Sequence, residues 1–409
     1  MYHWISTRSK KHLFCASLVY TLFASVIVQA MERGEDKTHP LILDLKRANE
    51  NALEEIAWSR NEAYIAAFSP NSSTCKVWNT STKSLHTLEA SNYITAFAWG
   101  QDSMLALGLN DGTVEIWDVS THSLKIRMPG NVRISLLAWS HKGSYLAVLA
   151  KNFTGGVENP YTNESTITIW DANSRLQVAS VVCDKHVSLL QWAPFEDYLA
   201  VGLREVSGTA HKVQVFSIVP QNTEVLCSLL REYNESDELY SLVWCPRKNQ
   251  LAVSLSNGTI AVYDNDTGLC INRWQSSELG RIVGQISWSR DGNYLISGGI
   301  DKIQLWKTLS GDITGEVSSL KNLDAFILSL SPNFDASDKP FAVEKIAWAP
   351  YSPLIAAGIK SQYKGIYTHI LIVFDVHSLY ASFKALQRRE RTSSLTRSEN
   401  SLTVNNSSK

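Results

Sequence analysis

Ile56-Ala57-Trp58, Phe97-Ala98-Trp99, Leu137-Ala138-Trp139, Leu190-Gln191-Trp192, Leu242-Val243-Trp244, Ile286-Ser287-Trp288 and Ile346-Ala347-Trp348 are seven versions of one phrase, a short apolar run that stops at a tryptophan. The tryptophans recur at intervals of 41, 40, 53, 52, 44 and 60 residues. Recurrence on this scale marks a repeat architecture, in which no unit can bury its apolar face alone.

The segments after each tryptophan recur too. Behind Trp139 come Tyr145-Leu-Ala-Val-Leu-Ala150 and Thr166-Ile-Thr-Ile-Trp170-Asp171; behind Trp244 come Gln250-Leu-Ala-Val-Ser254 and Thr259-Ile-Ala-Val-Tyr263-Asp264. Every unit therefore carries a third run closed by an aromatic: Trp78, Trp117, Trp170, Phe216, Tyr263, Trp306 and Phe374. Asn110-Asp111-Gly112 and Asn257-Gly258 separate the second and third runs, and such pairs supply the positive φ of a tight hairpin. A fourth run alternates, as in Ser84 to Leu88 and Leu124 to Met128. Four antiparallel strands in each of seven units predict an all-β, seven-bladed β-propeller. The closing tryptophans Trp117 and Trp170 are expected to be buried between neighbouring blades.

At these residues the chain resembles the WD-repeat propellers over residues 41 to 386. The Trp-Asp pair stands at Trp117-Asp118 and Trp170-Asp171, with variants at Tyr263-Asp264, Phe374-Asp375 and Trp78-Asn79. The family's Gly-His pair before the first strand is missing, and His186, six residues ahead of Trp192, is its nearest relic. The family's buried network of His, Ser/Thr, Asp and Trp is thus incomplete in every blade. The resemblance implies a non-catalytic protein-interaction scaffold.

The remainder of the chain differs in composition. Arg8, Lys10 and Lys11 precede an uncharged run from Leu13 to Val28, and Val28-Gln29-Ala30 places small residues after it. That order predicts a signal peptide over residues 1 to 30, cleaved after Ala30 and directing export. An uncleaved anchor, or a cytoplasmic protein starting at Met31, are the other readings. Residues 31 to 40 read as a flexible lead-in and the Ser/Thr/Asn-rich residues 387 to 409 as a disordered tail. Leu41 to Leu45 is the expected closing strand of the ring, with Leu379 to Leu386 as its competitor.

Composition narrows the function. With 38 basic and 39 acidic residues, the chain has neither the excess nor the stripe of charge of a nucleic-acid binder. Cys75, Cys183, Cys227, Cys245 and Cys270 lack metal or redox spacing and read as free thiols beside strands. Asn-x-Ser/Thr sequons stand at Asn71, Asn79, Asn152, Asn163, Asn234, Asn257 and Asn265. No phosphate-binding loop, nucleophile elbow or metal-ligand spacing appears, and Asp301 reads as a turn residue, so no catalytic, metal or cofactor residues are assigned. Three long connections, Lys151 to Ser165, Arg204 to Lys212 and Lys360 to Thr368, fall between second and third strands and open on one face; a further insertion spans Leu309 to Pro340. The expected surface for a protein or peptide partner is built on that face from Phe153, Tyr161, Arg204, Lys212, Tyr363, Lys364 and Tyr367, since aromatics and Arg dominate interface hot spots. A membrane is a partner only if residues 1 to 30 stay attached. Two other functions remain open: an exported propeller binding a small ligand or acting as an enzyme at its central channel, and a cytosolic subunit of a cell-cycle or trafficking complex.

Overall fold

Runs of four to eight residues rich in Val, Ile, Leu and aromatics pair in antiparallel ladders and leave one another's faces to be covered. The computed structural model describes residues 41–43, 55–69, 71–151, 153–154, 157–158, 165–204, 211–221, 224–275, 283–299, 302–308, 315–317, 341–350, 352–363 and 366–375. The chain divides into two compact units, residues 1–40 and 41–409, and all described residues belong to the second. The expected signal, lead-in and tail, the Leu379 to Leu386 strand and Asp301 lie outside the described residues.

Seven four-stranded sheets form, five of them from consecutive strands and a sixth, blade 3, interrupted by a small two-stranded hairpin. Their first strands are Glu55–Trp58, Ile94–Trp99, Ile134–Trp139, His186–Trp192, Leu239–Trp244, Val283–Trp288 and Phe341–Trp348, each ending on its tryptophan. These strands touch in numerical order from blade 1 to blade 7, and the last returns to the first, so they form an inner ring. The apolar core is split into layers between blades: Phe68 and Val77 of blade 1 meet Phe97 and Leu105 of blade 2, while Ile56 and Trp58 of blade 1 meet Ala349 and Ala356 of blade 7.

The ring closes through its N-terminal side. Leu41–Leu43 is the fourth strand of blade 7, pairing Leu41 with Val373, Ile42 with Ile372 and Leu43 with Leu371. In blade 6 the fourth strand is Gly315–Val317, drawn from the expected insertion between the sixth and seventh repeats.

The tryptophans also fasten blades by hydrogen bonds. Trp99 Nε1 donates to Ala57 O of blade 1 at 3.1 Å, Trp192 Nε1 to Ala138 O of blade 3 at 3.0 Å, and Trp244 Nε1 to Gln191 O of blade 4 at 3.3 Å. Trp288 Nε1 reaches Val243 O of blade 5 at 3.2 Å, and Trp58 Nε1 reaches Ala347 O of blade 7 at 3.2 Å. In all five the acceptor belongs to the residue just before the preceding blade's tryptophan. Trp139 breaks the pattern: its Nε1 is buried and has no partner among the described residues.

The expectation for Trp117 and Trp170 needs correcting. Both indoles are only partly buried, whereas Trp78 and Trp306 are 3% and 1% exposed. At Ile116/Trp117 and Ile169/Trp170 the ladder to the fourth strand slips by one residue, but the same slip at Val215/Phe216 and Val262/Tyr263 accompanies buried rings, so the slip alone does not set the exposure. Both indoles bond close by, Trp117 Nε1 to Glu115 Oε2 at 3.1 Å and Trp170 Nε1 to Thr168 Oγ1 at 3.0 Å. No such slip interrupts the ladder at Trp78.

Candidate functional site

Strand direction assigns every connection to a face. First strands run toward their tryptophans, so first-to-second and third-to-fourth turns share the tryptophan face. Second-to-third connections and the crossings between blades share the opposite, hairpin face.

The hairpin face carries the expected partner surface, and the structure redraws it. Phe153 lies in a two-residue strand, Phe153–Thr154, paired with Val157–Glu158. The stretch from Lys360 to Thr368 is not a long loop: Leu354–Tyr363 and Ile366–Asp375 run on as a hairpin in which Gln362 opposes Tyr367 and Tyr363 opposes Ile366. Ile359, Ile366 and Ile370 favour an extended ladder, which explains the longer strands. Tyr161 and Lys364 lie outside the described residues. Arg204 ends the second strand of blade 4 and Lys212 stands in its third. Both are engaged within the chain: Arg204 Nη1 meets Glu238 Oε1 at 2.6 Å, and Lys212 Nζ meets Glu232 Oε1 at 2.9 Å. Hydrogen bonds from Lys212 and Gln214 hold the Glu232 carboxyl below its ordinary range.

Around Arg204 sits a feature that composition did not reveal. His186, Arg204, His211 and Glu235 face one another across all four strands of blade 4. The corresponding row begins with Ile94 and Leu109 in blade 2, and with Leu239 and Leu255 in blade 5. Lys151 of blade 3 joins the row by donating to His186 Nε2 and Val187 O, each at 2.7 Å. At its other end, buried Glu235 accepts both Nη atoms of Arg273, at 3.0 and 3.1 Å, and the Tyr263 hydroxyl. Burial first, then Glu235, push the Tyr263 hydroxyl's proton affinity up. The row is therefore a charged strap across blades 3, 4 and 5. Only register exposes it, because its four blade 4 members stand 18, 7 and 24 residues apart in sequence, with no fixed spacing.

The tryptophan face is locked near its centre. Arg60 of blade 1 crosses to blade 3 and donates to Ser140 O at 3.0 Å, Trp139 O at 3.4 Å and His141 O. Ser352 N of blade 7 donates to Glu62 Oε1 of blade 1 at 2.6 Å. The turns on this face come in two chemistries. In blades 1, 3 and 6 a serine after the tryptophan caps the turn, as Ser59, Ser140 and Ser289 accept from Tyr64 N, Tyr145 N and Tyr294 N at 2.9, 2.9 and 3.0 Å. In blades 4, 5 and 7 the same place reads Ala193-Pro194, Cys245-Pro246 and Ala349-Pro350, without a hydroxyl. Blades 4 and 5 are the one adjacent pair of the proline kind. Between their turns lies a cavity of about 200 Å³ with Trp244 and Pro194 in its lining.

Exposed apolar side chains are unevenly spread. Among the described residues Leu85 and Tyr93 represent blades 1 and 2, whereas blades 3 to 5 show Leu176, Val182, Phe195, Val219, Leu226, Leu229, Tyr240, Leu269 and Ile271. Blade 4 contributes most because its outer hairpin is long, His211–Gln221 against Glu224–Glu235. It overshoots the second strand, whose last pair is Tyr198 with Ser217, so Pro220 costs no bond to that strand. Of the sequons, Asn265 is closed to sugar: it is 1% exposed and its amide bonds Asn249 Oδ1 at 3.3 Å. Among the described residues no group of three or more His, Cys, Asp or Glu could hold a metal ion.

Comparison with known proteins places these features. The model of the WD domain, G-beta repeat, matches residues 82–118 and 268–303. Each match starts at the outer strand of one blade and runs into the next, so the sequence repeat straddles two blades. The Dictyostelium discoideum protein named anaphase-promoting complex subunit cdc20 is 26% identical over 266 residues, covering 61% of this chain and 49% of that protein. The Arabidopsis thaliana transcriptional corepressor LEUNIG_HOMOLOG is 28% identical over 136 residues, covering 29% of this chain and 17% of that protein. The chain thus spans about half the length of the first relative and less of the second. Among solved structures, a chain of a mitotic checkpoint complex superposes with a TM-score of 0.57 at 18% identity, over 83% of this chain and 93% of that one. The β-propeller domain of Myceliophteria thermophila Cps50 (Swd1) gives 0.55 at 14% identity, over 82% and 99%. At such identity the two structures speak for the fold alone.

Proposed function

We infer that this chain, which belongs to the WD40-repeat β-propeller family, is a non-catalytic interaction subunit of a multiprotein assembly, of the cell-cycle kind rather than an exported platform. The observation that carries this reading is the apolar rim of blades 3 to 5, with Leu226, Leu229 and Leu269 each more than half exposed. Large exposed apolar side chains gathered on three adjacent blades, rather than scattered singly, favour cover by another surface. The charged strap, at the hairpin-face end of the same blades, bears on which partner is accepted, since paired charges at a rim act on specificity and encounter more than on affinity. A relative named as a subunit of the anaphase-promoting complex supports the kind of assembly.

Mild affinity capture from the native cell tests the reading. The protein is expected to elute in a stoichiometric complex larger than its own 45.6 kDa. Leu226→Ser with Leu229→Ser should release the partner and leave the melting temperature unchanged. A wild-type protein that elutes alone under gentle conditions sinks the proposal. Location is tested by fractionation with glycosidase treatment: a cytosolic protein whose mass does not shift fits this reading, and sugar on exposed Asn71 would restore the exported one.

A further inference from the structure

We propose that the cavity at the seam of blades 4 and 5 is a socket for one arginine side chain of a partner segment. The proposal rests on the interaction-subunit reading and names what that surface recognises. At about 200 Å³ the cavity is smaller than the 300 to 1,000 Å³ usual for small-molecule sites and suits a single long side chain. Ala193, Pro194 and Trp244 give it apolar walls, and the Phe195 ring in its lining stands 47% exposed. An aliphatic stem can lie along such walls while its head stays at the polar rim.

The rim decides the sign of that head. Glu196 and Asp266 bring two carboxylates, and Lys248 brings one ammonium, so the lining is net negative. Neither Glu196 nor Lys248 makes an ion pair among the described residues. Asp266 is held in place: its Oδ1 accepts Asn249 Nδ2 at 2.6 Å, and its backbone carbonyl accepts Arg231 Nη2 at 2.8 Å. Arg231 also bonds Asn265 O at 3.1 Å, so a blade 4 side chain fixes the blade 5 turn before any ligand arrives. Preorganised groups cost less to bind against. A guanidinium matches this set better than an ammonium, because it forks onto carboxylate oxygens and stacks on an aromatic ring.

The test uses two capped tripeptides, acetyl-Gly-Arg-Gly-amide and acetyl-Gly-Glu-Gly-amide, titrated into full-length protein and followed at the Trp244 indole resonance. The arginine peptide should saturate with a dissociation constant on the order of 1 mM, and the glutamate peptide should not bind. Lys248→Glu should tighten the arginine peptide at least threefold. Glu196→Gln, at an exposed position that folding does not need, should weaken it at least threefold. No saturable binding, preference for the glutamate peptide, or a Lys248→Glu variant that binds arginine more weakly would each overturn the socket. Capture of the native complex by the wild-type protein separates the two claims. A complex that survives while the peptide does not bind to wild type refutes the socket alone, and a bound peptide with no complex refutes the interaction subunit alone.

Discussion

Trp192 and Trp139 occupy the same place in neighbouring blades and are 5% and 7% exposed, yet one indole N–H has a carbonyl to bond and the other does not. Replacing Trp192 by Phe removes a bond and leaves Ala138 O without its indole donor, which should cost about 1 to 3 kcal/mol beyond the loss of ring volume. Trp139→Phe removes a donor that has no partner, so its cost should come from volume alone. Paired urea titrations check the difference, and equal losses would mean the staple contributes nothing. His141 offers a second test. Burial, then Arg60 and Lys142, depress its proton affinity, with Asp197 opposing them. Its folded value lies below its unfolded one, so the unfolded chain takes up the proton first. The stability tied to it is therefore full above about pH 6.5 and falls as pH drops through the folded value. His141→Gln should flatten stability against pH between 7 and 5, read from thermal melts at each pH.

A strand of three residues can matter out of proportion to its length when it closes a ring. Ile42 pairs with Ile372, and proline there deprives the ladder of a donor and opposes the pairing. Ile42→Pro should lower the melting temperature by several degrees and expose residues 354–375 to protease, while Leu85→Pro, in the outer strand of blade 1, should spare them. This strand was legible in advance, because Leu41 to Leu45 is an apolar run at the right end of a repeat. So were the first strands and the turn glycines: Gly112 and Gly258 adopt φ of 89° and 86° where Asp-Gly and Asn-Gly required them. The partner surface was legible only in part. A sequence shows that residues 360 to 368 exceed a tight turn, but not whether the excess extends the strands or bulges from them. Arg204 and Lys212 looked like free cations, since the acids that engage them, Glu238 and Glu232, lie 34 and 20 residues away. The seam cavity does leave a trace in the chain: two consecutive repeats with proline where blades 1, 3 and 6 carry an N–H after a serine.

Over the whole molecule, the buried thiols report whether the blades open singly or together. Cys75 lies in the layer between blades 1 and 2, Cys183 in that between blades 3 and 4, and Cys245 in that between blades 5 and 6. Burial pushes the Cys75 and Cys183 thiols up to about 12 and raises that of Cys245 as well, so they are protonated and shielded in the fold. Cys270 is exposed and should react with a thiol reagent at once. The other three should become reactive at a single urea concentration, because in a closed ring each layer is shared and none can part without straining its neighbours. Mass spectrometry of labelled protein checks this, and staggered midpoints would show that blades open independently.

Four of the five indole bonds point backwards along the chain, and this gives the ring a timetable. Blades 1, 3, 4 and 5 are each latched by a tryptophan that has yet to be made when the blade itself leaves the ribosome. Blade 7 is the exception, for its latch, Trp58, is among the first residues of the fold and must wait for Ala347. Leu43 waits longer still, through about 330 residues, for Leu371. At usual elongation rates that interval is roughly 15 to 65 s. During it the newborn chain carries an unpaired strand and an unspent donor at its leading end, which makes this the interval in which a chaperone has most to shield.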